Sequence, residues 1–159
     1  MYDVSAMPIS GGPYLAGAFL CEKALLEGDG VNSFIRVVDR WTVSGPSEQM
    51  PPTSIQATLV IMFKSGIHRG PGTLLVQPVS PSDQNMLPLS LSLLFEGDED
   101  RGLTLVVPMA FPVNEPGVHW FVVSIDGQAF TSIPLRVIYH RVAPMMPPSP
   151  SNLGLPPPR

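Results

Sequence analysis

The chain has 159 residues, of which 44% are hydrophobic and 14% charged, with a formal net charge of -4. That length is one ordinary domain, able to bury roughly two thirds of its unfolded surface, and the composition excludes a chain disordered throughout. An acidic balance with nine Lys and Arg scattered along the sequence argues against nucleic acid, whose binding depends on clustered cations.

Residues 1–13 carry Met, Pro, Ser and Gly without periodicity and read as a flexible N-terminal segment. The apolar stretch Tyr14 to Cys21 ends in the only cysteine, the arrangement of a lipoprotein signal. No basic region precedes it, and Phe19-Leu20 are too bulky for a cleavage site, so that reading fails. No other run reaches the roughly 18 to 20 apolar residues of a membrane-spanning helix. A lone cysteine forms no intrachain disulfide and fits a reducing compartment, so a cytoplasmic protein is expected.

Leu15 to Leu26 and Val31 to Val43 flank Glu27-Gly28-Asp29-Gly30, whose glycines permit a reversal, and are expected to form a hairpin. Along the second arm Val31, Ser33, Ile35, Val37, Asp39, Trp41 and Val43 share one mostly apolar face. A helix is the rival for Cys21 to Glu27, which are good helix formers. After the Pro- and Ser-rich segment from Ser44 to Thr53, strands are expected over Ser54 to Lys64, Thr73 to Pro78, Leu87 to Phe95 and Leu103 to Ala110. Leu87, Leu89, Leu91, Leu93 and Phe95 alternate with Pro88, Ser90 and Ser92, the mark of a half-buried strand.

Glu115 to Tyr139 holds two β-branched and aromatic runs joined through Asp126-Gly127, which accept the positive φ angles of a tight hairpin. From residue 143 onward seven prolines fall in seventeen positions. This Pro-rich tail, 143–159, favours extended, unpacked conformers and is expected to be disordered. Its Pro-Pro-Ser-Pro and Pro-Pro-Pro pieces are also of the kind that SH3 or WW grooves accept.

Short strands at this spacing, with connections too brief for crossover helices, predict an all-β fold over residues 14–142. The expectation is an antiparallel β-sandwich of about seven to nine strands, immunoglobulin-like in general architecture. Two blocks, Ala18 to Val43 and Glu115 to Tyr139 with its Pro-Gly, Trp-Phe, Asp-Gly and Ile-Pro-Leu-Arg-Val sequence, resemble an uncharacterised bacterial family of short single-domain proteins. The resemblance would span about residues 15 to 141. It implies a compact β-sandwich and no activity.

Few residues invite chemistry. Cys21 beside Glu22 is the first, yet neighbours in a strand point to opposite faces, so a small buried apolar role is expected. His68, His119 and His140 have no carboxylate or cysteine at metal-ligand spacing. His119, next to Trp120 in a strand, is expected to be half-buried and structural or to face solvent. The Gly-rich stretch Ser65 to Gly72, with His68 and Arg69, lacks the Gly-Lys-Ser/Thr ending of a phosphate loop and reads as a hairpin connection with a basic tip. Glu96-Gly97-Asp98-Glu99-Asp100 supplies oxygen ligands suited to calcium but misses the EF-hand spacing and reads as a solvated turn. Asp39, between Arg36 and Arg40, is expected to form cross-strand ion pairs.

No catalytic, cofactor-binding or metal residue is assigned, and no cofactor is expected. The expected role is a non-enzymatic binding or structural module that contacts a protein partner. One alternative is a carbohydrate- or lipid-binding sandwich, which needs Trp41 and Trp120 exposed on one platform. Another is an enzyme whose site joins Cys21, the histidines and the 96–100 carboxylates from afar.

Overall fold

Apolar residues recur along nine stretches of the chain, and each stretch is a strand in a computed structural model, which describes residues 11–97 and 101–143. They are β1 (Tyr14–Leu26), β2 (Asn32–Val38), β3 (Arg40–Gly45), β4 (Thr53–Lys64), β5 (Arg69–Val79), β6 (Leu89–Glu96), β7 (Gly102–Val113), β8 (Gly117–Ile125) and β9 (Gln128–Arg141). The first expected segment, most of residues 1–13, and the proline-rich tail lie almost wholly outside the described residues.

The strands form a four-stranded sheet, in the order β2-β1-β4-β7, and a five-stranded sheet, in the order β3-β9-β8-β5-β6. This is the expected β-sandwich, two sheets face to face in the general arrangement of immunoglobulin-like domains. Leu59, Ile61 and Phe63 of β4 meet Val76 of β5, Phe95 of β6, Phe121 and Val123 of β8 and Leu135 of β9 in the core between them. All eight are at most 1% exposed.

Cys21 to Leu26 is strand, as expected over Leu15 to Leu26, and the rival helix does not form, because β1 is held between β2 and β4 and the two ladders override local helix propensity. Other expectations need correction. Residues 31–43 are not one arm. The chain bends at Asp39, so that β2 pairs with β1 while β3 crosses to the other sheet and runs parallel to β9. That parallel pair needs no crossover helix, since its strands are distant in sequence.

The expected apolar face of that arm does not hold through β2. Ile35 is 43% and Val37 62% exposed, while Phe34 stands edge-on to Phe19 with ring centroids 5.1 Å apart and Val38 packs on the core. Arg36 has φ 50°, which interrupts the pleat and with it the alternation. Only Trp41 and Val43, on β3, point inward as expected. Leu87 lies before β6 and is 91% exposed, whereas Leu89, Leu91, Leu93 and Phe95 do face the core.

Two connections decide what the ends of the sandwich present. Ser65 to His68 links β4 in one sheet to β5 in the other, so it is a crossover between sheets and not a hairpin. Asp126-Gly127 does close the β8–β9 hairpin, with φ 48° and 82° at the two positions. Such paired positive angles define the turn whose twist matches that of the flanking strands.

Candidate functional site

At one end of the sandwich, β5 finishes, β7 finishes and β8 begins. The loop between β5 and β6 is built there by its own backbone: Asp83 N–H donates to Ser80 O at 2.9 Å, Ser80 N–H to Gln84 O at 3.0 Å, and Met86 N–H to Pro78 O at 2.9 Å. Gln77 adds a side-chain tie, its Nε2 donating to Met86 O at 2.6 Å and Pro78 O at 3.0 Å. Asp83 takes φ 59°, a left-handed angle that aspartate tolerates better than most residues.

Glu115, in the turn from β7 to β8, fastens this loop to the rest of the molecule. Its Oε1 accepts from Ser82 Oγ at 2.7 Å and from Ser82 N–H at 3.3 Å, and Ser82 Oγ lies 3.0 Å from Ser80 Oγ. The Ser82 hydroxyl bond holds the Glu115 carboxyl below its ordinary value. Gly117, at φ 134°, lets β8 start directly against the loop; a Cβ there would stand 2.8 Å from the Pro81 ring.

His119 sits behind these groups. On β8 it shares the inward face with Phe121 and Val123, and it is only 2% exposed. It was expected to be half-buried or solvent-facing; it is fully buried, because the loop covers the end of its strand. Its Nδ1 is shut off from solvent and has no hydrogen-bond partner. Burial pushes the imidazole below its ordinary value of 6.5, while the Glu115 carboxylate and the Gly117 carbonyl pull it back up.

The ring lines a cleft of about 250 Å³ together with Pro52, Ser80, Gln84, Asn85, Met86, Pro112, Val113 and Asn114. No lining side chain is charged. The sequence named His119 but gave no sign of the cleft, since its walls come from four separate stretches of chain. Glu115, four residues before His119 and adjacent to a Pro-Gly turn, marks the turn into β8 but not the cleft.

The other sequence candidates fall elsewhere. Cys21 is 0% exposed but lies on the outer side of the four-stranded sheet, opposite Leu20, with Thr58 and Val37 as ladder partners. Burial raises its thiol pKa, the reverse of what a nucleophile needs, and Glu22 is turned to Arg36 at 3.2 Å. His68 meets Phe95 edge-on, with centroids 5.3 Å apart. In its crossover the amides of Ser65, Ile67 and His68 donate to the carbonyls of Arg101, Gly11 and Ser65, so these three are not turned to an anion.

His140 is exposed near the end of β9, beside Ser44 in the ladder. Glu96 accepts from Arg101 at 2.7 Å, while Asp98, Glu99 and Asp100 lie outside the described residues. Among the described residues no three metal-ligating side chains gather. Asp39 pairs with its chain neighbour Arg40 at 3.3 Å and not across strands as expected; the cross-strand pair is Arg36 with Glu22. Cys21, His68, His119 and His140 are therefore not brought together.

The two tryptophans part company as well. Trp41 packs against the core, whereas Trp120 is 42% exposed on the outer face of the five-stranded sheet. The shared platform that a carbohydrate or lipid site would need is not formed.

No family model matches the chain, and no curated protein matches it. Among solved structures it is similar to the crystal structure of an immunoglobulin-like protein from Pseudomonas aeruginosa, with 12% sequence identity, a TM-score of 0.33, and coverage of 80% of this chain and 97% of that one. So distant a likeness carries no function across, and the all-β assignment rests on the strands and their pairing. Among the described residues no helix is long and apolar enough to cross a membrane.

Proposed function

We propose that the chain is a non-enzymatic, cytoplasmic β-sandwich module that binds another protein through the outer face of its five-stranded sheet. The observation that carries this reading is the outward setting of Trp120, flanked in the ladders by Val79 and Pro134. Leu75, 37% exposed, shares that face, one strand over. A half-exposed tryptophan in an aliphatic surround is the usual anchor of a protein interface, where charged residues are sparse at the centre. The net charge of -4 favours a protein partner over nucleic acid.

A photo-crosslinking residue at position 122, beside Trp120 on the same face, should trap one host protein. Trp120→Ala should then weaken binding of that protein by about thirtyfold, the order expected for losing a buried aromatic anchor. Cys21→Ala and His68→Ala should leave it unchanged. Binding that survives Trp120→Ala, or a turnover abolished by replacing Cys21 or a histidine, would replace this reading with another surface or with an enzyme.

A further inference from the structure

A buried polar atom without a partner forfeits about 1–3 kcal/mol, and native proteins rarely leave one so. His119 Nδ1 is such an atom, and its ring forms part of the floor of a cleft of about 250 Å³. That space holds about eight waters at roughly 30 Å³ each, more than one bridging water would need. Its walls divide by chemistry. Ser80, Gln84, Asn85 and Asn114 offer groups that both donate and accept, while Pro52, Met86, Pro112 and Val113 supply apolar surface.

We propose that this cleft is a binding subsite for a carboxamide or peptide amide, seated with its amide on His119, Asn85 and Asn114 and its carbon chain against the prolines and Met86. A neutral amide fits on three counts. It both donates and accepts, so it satisfies Nδ1 in either imidazole tautomer. The walls contain no Lys or Arg to hold an anion, and the Glu115 carboxylate beside the ring opposes one. The Glu115 Oε1 is already engaged by Ser82, and no carboxylate lines the cleft to hold a cation. Because Nδ1 is closed to solvent, one wall side chain must rotate to admit the ligand, and unbranched Met86 is the most adaptable. The cleft lies on the opposite side of β8 from Trp120, so it stands or falls independently of the surface proposed above.

The test is a titration of the isotope-labelled protein with propionamide, with propionate as its anionic counterpart, followed by NMR of the His119 ring and of the Asn85 and Asn114 side-chain amides. Propionamide should shift all three saturably and propionate should not. His119→Phe, which keeps the ring's bulk, should abolish saturation, and Asn114→Ala should weaken it about tenfold, one lost hydrogen bond's worth. A doubly capped asparagine probes the same chemistry as part of a peptide. Tighter binding of that probe supports a segment of a partner protein as the natural ligand, and equal binding supports a small amide. Unsaturable shifts, an equal response to propionate, or saturation that persists in both variants would overturn the proposal and leave a cleft holding water only.

Discussion

Two single residues carry solvent-linked consequences. Cys21 has no exposed surface, its thiol pKa is raised by burial, and its Sγ rests 3.5 Å from Lys23 O. A thiol reagent should therefore label the native protein slowly and the denatured protein fast, as a colorimetric thiol assay with and without denaturant would show. Fast labelling of the native state would mean that the cover over this outer-face site opens readily. His119 links folding to pH. Its pKa is lowered in the folded protein, so the unfolded chain takes up a proton first as pH falls below 6.5, and stability declines from there toward the folded value. Glu115 adds to the loss at lower pH: its lowered carboxyl stabilises the fold above 4.5, and that contribution fades as pH falls through the folded pKa. Denaturant titrations between pH 7 and 5 should show a falling midpoint that flattens in His119→Gln. An unchanged slope in that variant would assign the pH dependence to other groups.

At the scale of elements, turns and close approaches hold the strands in register. Gly127 has φ 82° and open space around it, so alanine there meets no clash and suffers only the backbone strain, about 1 kcal/mol. Gly117 combines φ 134° with the Pro81 ring 2.8 Å from a would-be Cβ. Gly117→Ala should cost more, about 2–3 kcal/mol, because overpacking adds to strain and pushes the loop off the His119 end. Thermal melts of the two variants, compared side by side, check the order; a larger loss at Gly127 would reverse this account. The same scale explains what sequence reading reached. Asp126-Gly127 announced its turn because positive φ has a narrow residue vocabulary. Leu89, Leu91, Leu93 and Phe95 announced their face because a ladder on one side and a core on the other enforce alternation. Arg36, a residue with no preference for positive φ, gave no warning that it would break the pleat of β2, and Asp39 gave none that the chain would change sheets. The His119 cleft was invisible for a different reason: Pro52, Ser80, Pro112 and His119 meet only after both sheets have packed.

For the molecule as a whole, the strands begin at Tyr14 and end at Arg141, and the core cluster together with the side chains packed on it spans Leu15 to Tyr139. The last backbone bond described is Val142 N–H to Gly45 O at 2.9 Å, which holds the end of β9 beside β3. Ending the chain after Ala143 keeps that bond and every described core side chain, so its melting temperature should match that of the full chain. Ending it after Ile138 removes Tyr139, whose hydroxyl donates to Ser47 O at 2.8 Å, together with the ladder pairs of Val43, Ser44 and Gly45. That truncation should free the end of edge strand β3 and uncover Val43, at a cost of several kcal/mol and roughly 2–4 °C of melting temperature for each. Calorimetry on the three lengths separates the cases. A drop already present after Ala143 would show that residues 144–159 add to the stability of the sandwich, and equal melting at all three lengths would mean that β3 does not depend on its parallel partner.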